Sequence, residues 1–155
     1  MTTFFLAGVD GAGIMTAIYE EDGIRFSYPS TWTVEREESA SGWTVLLQSP
    51  GTAFVTITLS SDMPDVERMS RETLDALRAD YPALEAEAVV EKLAGQMAIG
   101  HNIQFFALDL TNTCFTRSFY CDQGTVLVLS QTNDLELDEV EPIFRAIWAS
   151  LTIEE

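Results

Sequence analysis

The sequence predicts an α+β fold: an antiparallel sheet of about seven strands, with one helix inserted midway and one at the carboxyl end. Two observations carry this. Short β-branched and aromatic runs bounded by turn residues fill most of the chain, and the apolar pattern switches to helical spacing in only two places. The 155 residues contain no internal repeat, low-complexity tract or linker. They read as one domain over 1–155, with 1–18 as an amino-terminal extension or hairpin.

At the amino end, Phe4 to Ala7 and Ile14 to Tyr19 flank Val9-Asp10-Gly11-Ala12, whose Asp-Gly pair suits a hairpin turn. Asp22-Gly23 leads into Ile24 to Tyr28, where Ile24, Phe26 and Tyr28 share one face, and Pro29 ends the strand. Thr33 to Arg36, Trp43 to Gln48 and Phe54 to Ser60 follow, separated by Ser39 to Gly42 and Ser49 to Thr52. In the last, Val55, Ile57 and Leu59 alternate with Thr56, Thr58 and Ser60, as in a strand with one buried face.

From Asp65 to Tyr81 the period becomes helical: Val66, Met69, Leu77 and Tyr81 line a stripe, with Leu74 beside it. Asp65 caps the start and Pro82 ends it. Leu84 to Lys92 alternates charged and apolar residues like an edge strand, and Gln96 to Leu110 is a strand with a bulge at Gly100-His101. Thr113 to Cys121 and Thr125 to Thr132 form a hairpin over Asp122-Gln123-Gly124, with Gly124 in the left-handed position of a three-residue loop. Leu137, Val140, Phe144, Ile147 or Trp148, and Leu151 then mark the final helix. Because an interior proline costs about 3 kcal/mol, Pro142 places the main helix start near Glu139 to Glu141, after a turn at Leu135 to Leu137.

Composition narrows the function. The formal charge is −17, with seven Arg and one Lys, Lys92, against 25 acids. So acidic a body repels phosphate, which excludes sequence-independent nucleic-acid and anionic-membrane binding and favours a basic partner. The acid excess also fits a solvated surface or adaptation to high salt. Met1 to Gly8 lacks the basic start and long apolar centre of a signal peptide, and no run reaches the roughly 18 apolar residues of a membrane span. A cytoplasmic location is therefore expected.

Chemistry-bearing patterns are sparse. His101 is the sole histidine, and no Gly-x-Ser-x-Gly elbow accompanies it, so it reads as a bulge histidine bonded to backbone. Cys114 and Cys121 lie seven positions apart, on opposite faces of one strand and roughly 23 Å from each other. They read as free, packed thiols in a reducing compartment. Gly8 to Gly13 lacks the Lys and Ser/Thr of a phosphate loop, and Asp134, Glu136 and Asp138 begin a calcium-loop pattern that Glu139 and Arg145 break. No catalytic residue, metal ligand or cofactor is predicted, and the chain is read as not an enzyme. Of Trp32, Trp43, Phe54, Phe105, Phe115, Phe119 and Trp148, most read as core, the others as lining for a pocket between helix and sheet. Thr44, Thr56, Thr58, Thr116, Ser118 and Tyr120 fall on alternate positions of candidate neighbouring strands. They form a hydroxyl-rich sheet face and are the candidate binding residues.

Gly23-Ile24-Arg25-Phe26-Ser27-Tyr28-Pro29-Ser30-Thr31-Trp32-Thr33-Val34 resembles the opening signature of PsbP-like domains. That family includes the extrinsic PsbP subunit of photosystem II, a nuclear Ran-binding relative and many small bacterial proteins of unassigned role. Gln48-Ser49-Pro50, the mid-chain helix, the long hairpin and the closing Trp148-Ala149-Ser150-Leu151 extend the resemblance over most of 19–153. It implies an αβα sandwich that binds a partner without a common catalysis. Its signature is one of packing: Pro29 fixes a turn and Trp32 plugs the core, so no functional residue carries over.

The reading reached is a non-catalytic protein-binding module that engages a basic protein. An immunity or adaptor protein of a bacterial secretion system is its narrower form. The alternative is a carrier of a small apolar ligand between helix and sheet, and an enzyme ranks last. Monomer and homodimer both remain open.

Overall fold

In the computed structural model, residues 3–9, as backbone, and 15–153 are described. The elements run β1 (Thr3–Val9), β2 (Met15–Glu21), β3 (Ile24–Pro29), β4 (Thr33–Ser39), β5 (Gly42–Gln48), β6 (Phe54–Ser60), α1 (Val66–Asp80), β7 (Glu85–Leu93), β8 (Gln96–Ala107), β9 (Leu110–Cys121), β10 (Gly124–Asn133), α2 (Leu137–Ser150) and β11 (Thr152–Ile153). Their antiparallel pairing gives a seven-stranded sheet in the order β4-β5-β6-β10-β9-β8-β7, the α+β core that the alternation predicts. A second sheet, β1-β2-β3-β11, was not anticipated. The predicted turn at Asp10 to Ala12 and the glycine-rich run to Gly13 lie outside the described residues, although β1 and β2 do pair antiparallel.

Strand parity assigns the two faces of the large sheet. Val45, Leu47, Val55, Ile57, Leu59, Val126, Val128, Phe115 and Phe119 point to one side and join Tyr19, Phe26 and Tyr28 of the small sheet and Phe144, Ile147 and Trp148 of α2 in the main core. Trp32 plugs this core as expected, 6% exposed and edge-on to Phe144 at 6.3 Å between ring centroids. The turn that delivers it is closed by Trp32 N–H donating to the Pro29 carbonyl. The opposite face carries α1, whose Leu74, Leu77 and Tyr81 cover Leu84, Ile103, Phe105 and Cys114. Asp65 caps α1 by accepting from Glu67 N–H at 3.1 Å.

Three local expectations are corrected. Gly100 and His101 keep unbroken register with Val89 and Ala88 on one side and Arg117 and Thr116 on the other, so β8 has no bulge. A Cβ on Gly100 would meet the Thr116 carbonyl oxygen at 1.7 Å, so glycine there marks close strand approach. The β9–β10 connection is the two residues Asp122-Gln123, because Gly124 already pairs with Cys121. Gly124 has φ +152°, and its Cβ would lie 2.2 Å from the Ser60 carbonyl oxygen. Finally, α2 starts at Leu137, with Pro142 inside it. The carbonyl that the missing N–H would have engaged, on Asp138, belongs to an exposed residue in the first turn, where the loss of one intrahelical bond costs least.

Arg117, absent from the sequence reading, lies between Phe115 and Phe119 on the core side of β9 and is 2% exposed. Its guanidinium donates to Glu91 Oε1 at 2.6 Å, Asn102 Oδ1 at 2.8 Å and the carbonyls of His101 and Thr116, and sits 5.6 Å from the Trp148 ring. A buried charge so fully satisfied is costly to leave half-paired. Arg117→Ala is expected to lower unfolding free energy by about 3–5 kcal/mol, measured by urea denaturation, and Arg117→Met by clearly less, since it removes the charge and keeps the volume.

Candidate functional site

The hydroxyl-rich face exists, and α1 divides it. On the half formed by β5 and β6, Thr44, Thr56 and Thr58 are half-buried, and the hydroxyls of Thr44 and Thr58 lie 3.1 Å apart across the strands. On β9, Thr116 and Ser118 are 1% and 0% exposed beneath the helix. Thr116 Oγ1 accepts from His101 N–H at 3.0 Å, and Ser118 Oγ donates to the Val126 carbonyl at 3.3 Å. Both are spent inside the protein. Tyr120, 42% exposed, accepts from Val66 N–H at 3.2 Å and donates to Asp65 Oδ1 at 3.3 Å, so its hydroxyl pins the first turn of α1. The structure therefore brings Thr44, Thr56 and Thr58 together on an accessible surface and assigns the other three to the seat of the helix.

A groove of about 640 Å³ runs along the line where α1 meets the uncovered strands. Its apolar lining comes from Leu127 and Leu129 of β10 and from Met69, Ala76 and Leu77 of α1. Asp62, Glu72 and Asp80 stand along it, with Arg68 bound to Glu72 at 3.2 Å. Parity places Leu46, Thr44, Thr56 and Thr58 on this same face, and places Glu35 and Glu37 of β4 at its far rim. Sequence periodicity pointed to the threonines but missed Leu127 and Leu129, because their strand reads as nearly continuous apolar residues. A second cleft, between α2 and the β7–β8 turn, includes the Leu151 to Ile153 segment and the Glu91 carboxylate already committed to Arg117.

His101 lies under α1. Its Nδ1 is 3.2 Å from the Ser70 hydroxyl, where the sequence reading expected a backbone partner. Burial, with smaller contributions from Arg78 and Arg117, holds its pKa below the usual imidazole value, which favours the neutral ring. Ser70 is 4% exposed and His101 is half-buried, so helix α1 covers the serine and only part of the ring. Cys114 and Cys121 are free and buried on opposite faces of β9, as expected; burial pushes the Cys114 thiol up to about 12. Among the described residues, no three His, Cys, Asp or Glu side chains gather in a way that could hold a metal, and no helix is long and apolar enough to cross a membrane.

The His101 environment makes stability depend on pH. Because the folded-state pKa is depressed, the unfolded chain takes up the proton first as pH falls. The neutral ring's contribution is complete above the unfolded value of about 6.5 and is lost as pH drops toward the folded value. Urea midpoints measured between pH 7.5 and 5 should decline, and His101→Asn, which keeps a polar partner for Ser70, should flatten the part of that decline below about pH 6.5.

No family model and no curated protein matches the sequence. Among solved structures, cyanobacterial PsbP (CyanoP) from Synechocystis sp. PCC 6803 superposes with a TM-score of 0.65 at 16% identity, covering 93% of this chain and 96% of that one. LpqN of Mycobacterium tuberculosis, involved in cell envelope biogenesis, gives 0.54 at 14% identity over 87% of each chain. PA94 of Pseudomonas aeruginosa, a protein of unknown function, gives 0.50 at 13% identity over 84% of this chain and 91% of that one. With its antiparallel sheet, inserted helix and terminal helix in the same arrangement, the chain has a PsbP-like fold.

Proposed function

We propose that the chain is a non-catalytic binding module that engages a basic protein on the face of the large sheet left open by α1. One observation carries this: a leucine-floored groove whose walls and far rim bear Asp62, Glu72, Asp80, Glu35 and Glu37, in a chain of net charge −17. Apolar floor and carboxylate rim match an amphipathic segment with Lys or Arg along its edges. The apolar part supplies affinity through burial, and the charges supply encounter rate and register. An immunity or adaptor role for a basic effector is the narrower form of the same reading.

The carrier reading, a small apolar ligand between helix and sheet, finds less support. The space directly beneath α1 is filled by Leu74, Leu77, Tyr81, Ile103 and Phe105, with Tyr81 and Phe105 stacked at 4.2 Å. The groove that remains is open along its length, where a small apolar molecule would stay wet on one side.

The test is fluorescence anisotropy with a labelled peptide of alternating Leu and Lys against a Leu/Glu counterpart. The basic peptide should bind, with affinity falling as NaCl rises from 50 to 500 mM, a range chosen to shorten the screening length to a few ångströms (about 3 Å at 1 M). Glu72→Gln and Asp80→Asn should each weaken it about two- to fivefold. Equal binding of both peptides, or salt-independent binding, would defeat the proposal.

A further inference from the structure

The large sheet ends in two strands, β4 and β7, that have no outer neighbour among the described residues, and they differ in what they offer. In β4, the hairpin from Ser39 to Gly42 fixes the pairing pattern. Ser41 accepts from Ser61 N–H, so odd-numbered β5 residues direct their backbone groups to β6 and even-numbered ones to β4. Thr33, Glu35, Glu37 and Ser39 are therefore bonded to β5, and the N–H and C=O groups of Val34, Arg36 and Glu38 point outward from the sheet. Glu35 and Glu37 are exposed, flank Arg36 on the open face, and have no cation partner among the described residues. On the other face, Arg36 is tied to Asp22, Glu38 and the Tyr19 hydroxyl and lies 4.8 Å from the Trp43 ring. This network holds the extended strand in place, so its outward groups are already ordered for pairing.

We infer that β4 is where the basic partner docks, by adding an extended segment to the sheet as an eighth strand. The inference rests on the proposed function and deepens it. Opposite Glu35 and Glu37, an antiparallel strand presents residues two apart on the open face, at the non-hydrogen-bonded positions where side chains approach most closely. These are Lys or Arg. The residue between them lies over the Arg36–Glu38 pair and is neutral. The recognised chemistry is thus a basic-neutral-basic segment in extended conformation, running along the outer edge of β4.

Charge complementarity selects this occupant, and the face on which the carboxylates stand selects this edge. A second copy pairing through β4 about Arg36 would set Glu35 against Glu37, and like charges directly opposite one another oppose self-association. On β7 the outward groups belong to Ala86, Ala88, Val90 and Lys92, while Glu91 is committed to Arg117. β7 also carries exposed Glu85 and Glu87 two apart, but on the opposite, α2 side of the sheet, where they line a cleft with Asn102, Gln104 and Arg145 and lie away from the open face.

The experiment uses the full chain, isotopically labelled, with a Thr-Lys-Thr-Lys-Thr-Lys-Thr peptide. Amide hydrogen exchange of Val34, Arg36 and Glu38 should slow on binding, while Glu35 and Glu37, already bonded to β5, change little. Methylating the peptide backbone nitrogens that face β4 should weaken binding at least about tenfold, with no change to the protein's own stability. Glu35→Gln and Glu37→Gln should each weaken it about two- to fivefold. A peptide that binds in a salt-dependent way yet tolerates methylation and leaves those three amides unprotected overturns strand addition and leaves the basic-partner proposal standing. Failure of every basic peptide to bind overturns both. Concentration-dependent protection of the same amides without peptide assigns the edge to a second copy and overturns the inference.

Discussion

The cluster of Trp32, Phe115, Phe144 and Trp148 decides which face of the molecule is available. Phe115 meets Phe144 and Trp148 edge-on at 6.2 and 5.6 Å, Phe144 stacks on Trp148 at 6.4 Å, and Trp148 Nε1 donates to the Ser130 hydroxyl at 3.0 Å. Each ring pair contributes about 0.5–1.5 kcal/mol beyond the area it buries. More important than the sum is where the cluster sits. It clamps α2 and the start of β4 onto one face of the large sheet, and the small sheet, hydrogen-bonded through β11 to the end of α2's chain, covers the rest of it. With most of that face covered, and only clefts beside α2 left on it, the broadest open surface of the large sheet lies on the side of α1.

Two of the cations, Arg117 and Arg36, stabilise these junctions, and four others pair with acids on the surface. Arg117 is buried beneath Trp148, and Arg36 joins β4 to the β2–β3 turn; the hydrogen bonds it makes with Tyr19, Glu38 and Asp22 outweigh the cost of burial and raise its pKa further. Arg68 and Arg145 pair with Glu72 and Glu141 on their own helices. The carboxylates left over face water, including Glu35 and Glu37. Their mutual repulsion lowers stability.

Much of this was legible in the chain. The alternation in β6, the helical stripe of α1 and the Tyr28-Pro29…Trp32 turn each report a local environment through a local period, and each was read correctly. What escaped depends on pairing between distant segments. Thr56-Thr58 and Thr116-Ser118 have the same alternation, yet the first pair is open and the second lies under α1, because sheet order and not spacing decides which strands the helix crosses. Gly100 and Gly124 were read as a bulge and a loop residue; the actual constraint is a carbonyl on a neighbouring strand, which leaves no mark in the local sequence. The two-sheet division has the same origin, since nothing in the sequence of β3 or β4 says which distant strand each bonds.

The open face combines two kinds of surface with different consequences for binding. Across its floor, the Thr44 and Thr58 hydroxyls satisfy one another, and Leu46, Leu127 and Leu129 have no polar demand beyond backbone already paired in the sheet. Covering such a floor strips little water from groups that need it, so it tolerates varied side chains. Its rim is the reverse. Covering Glu35 or Glu37 without a cation leaves a desolvated charge, a penalty larger than the gain from a good pair. Discrimination among partners therefore resides in the rim carboxylates and affinity in the floor, a division that arises because the same strands that bury their apolar side against α2 must present their alternate residues outward.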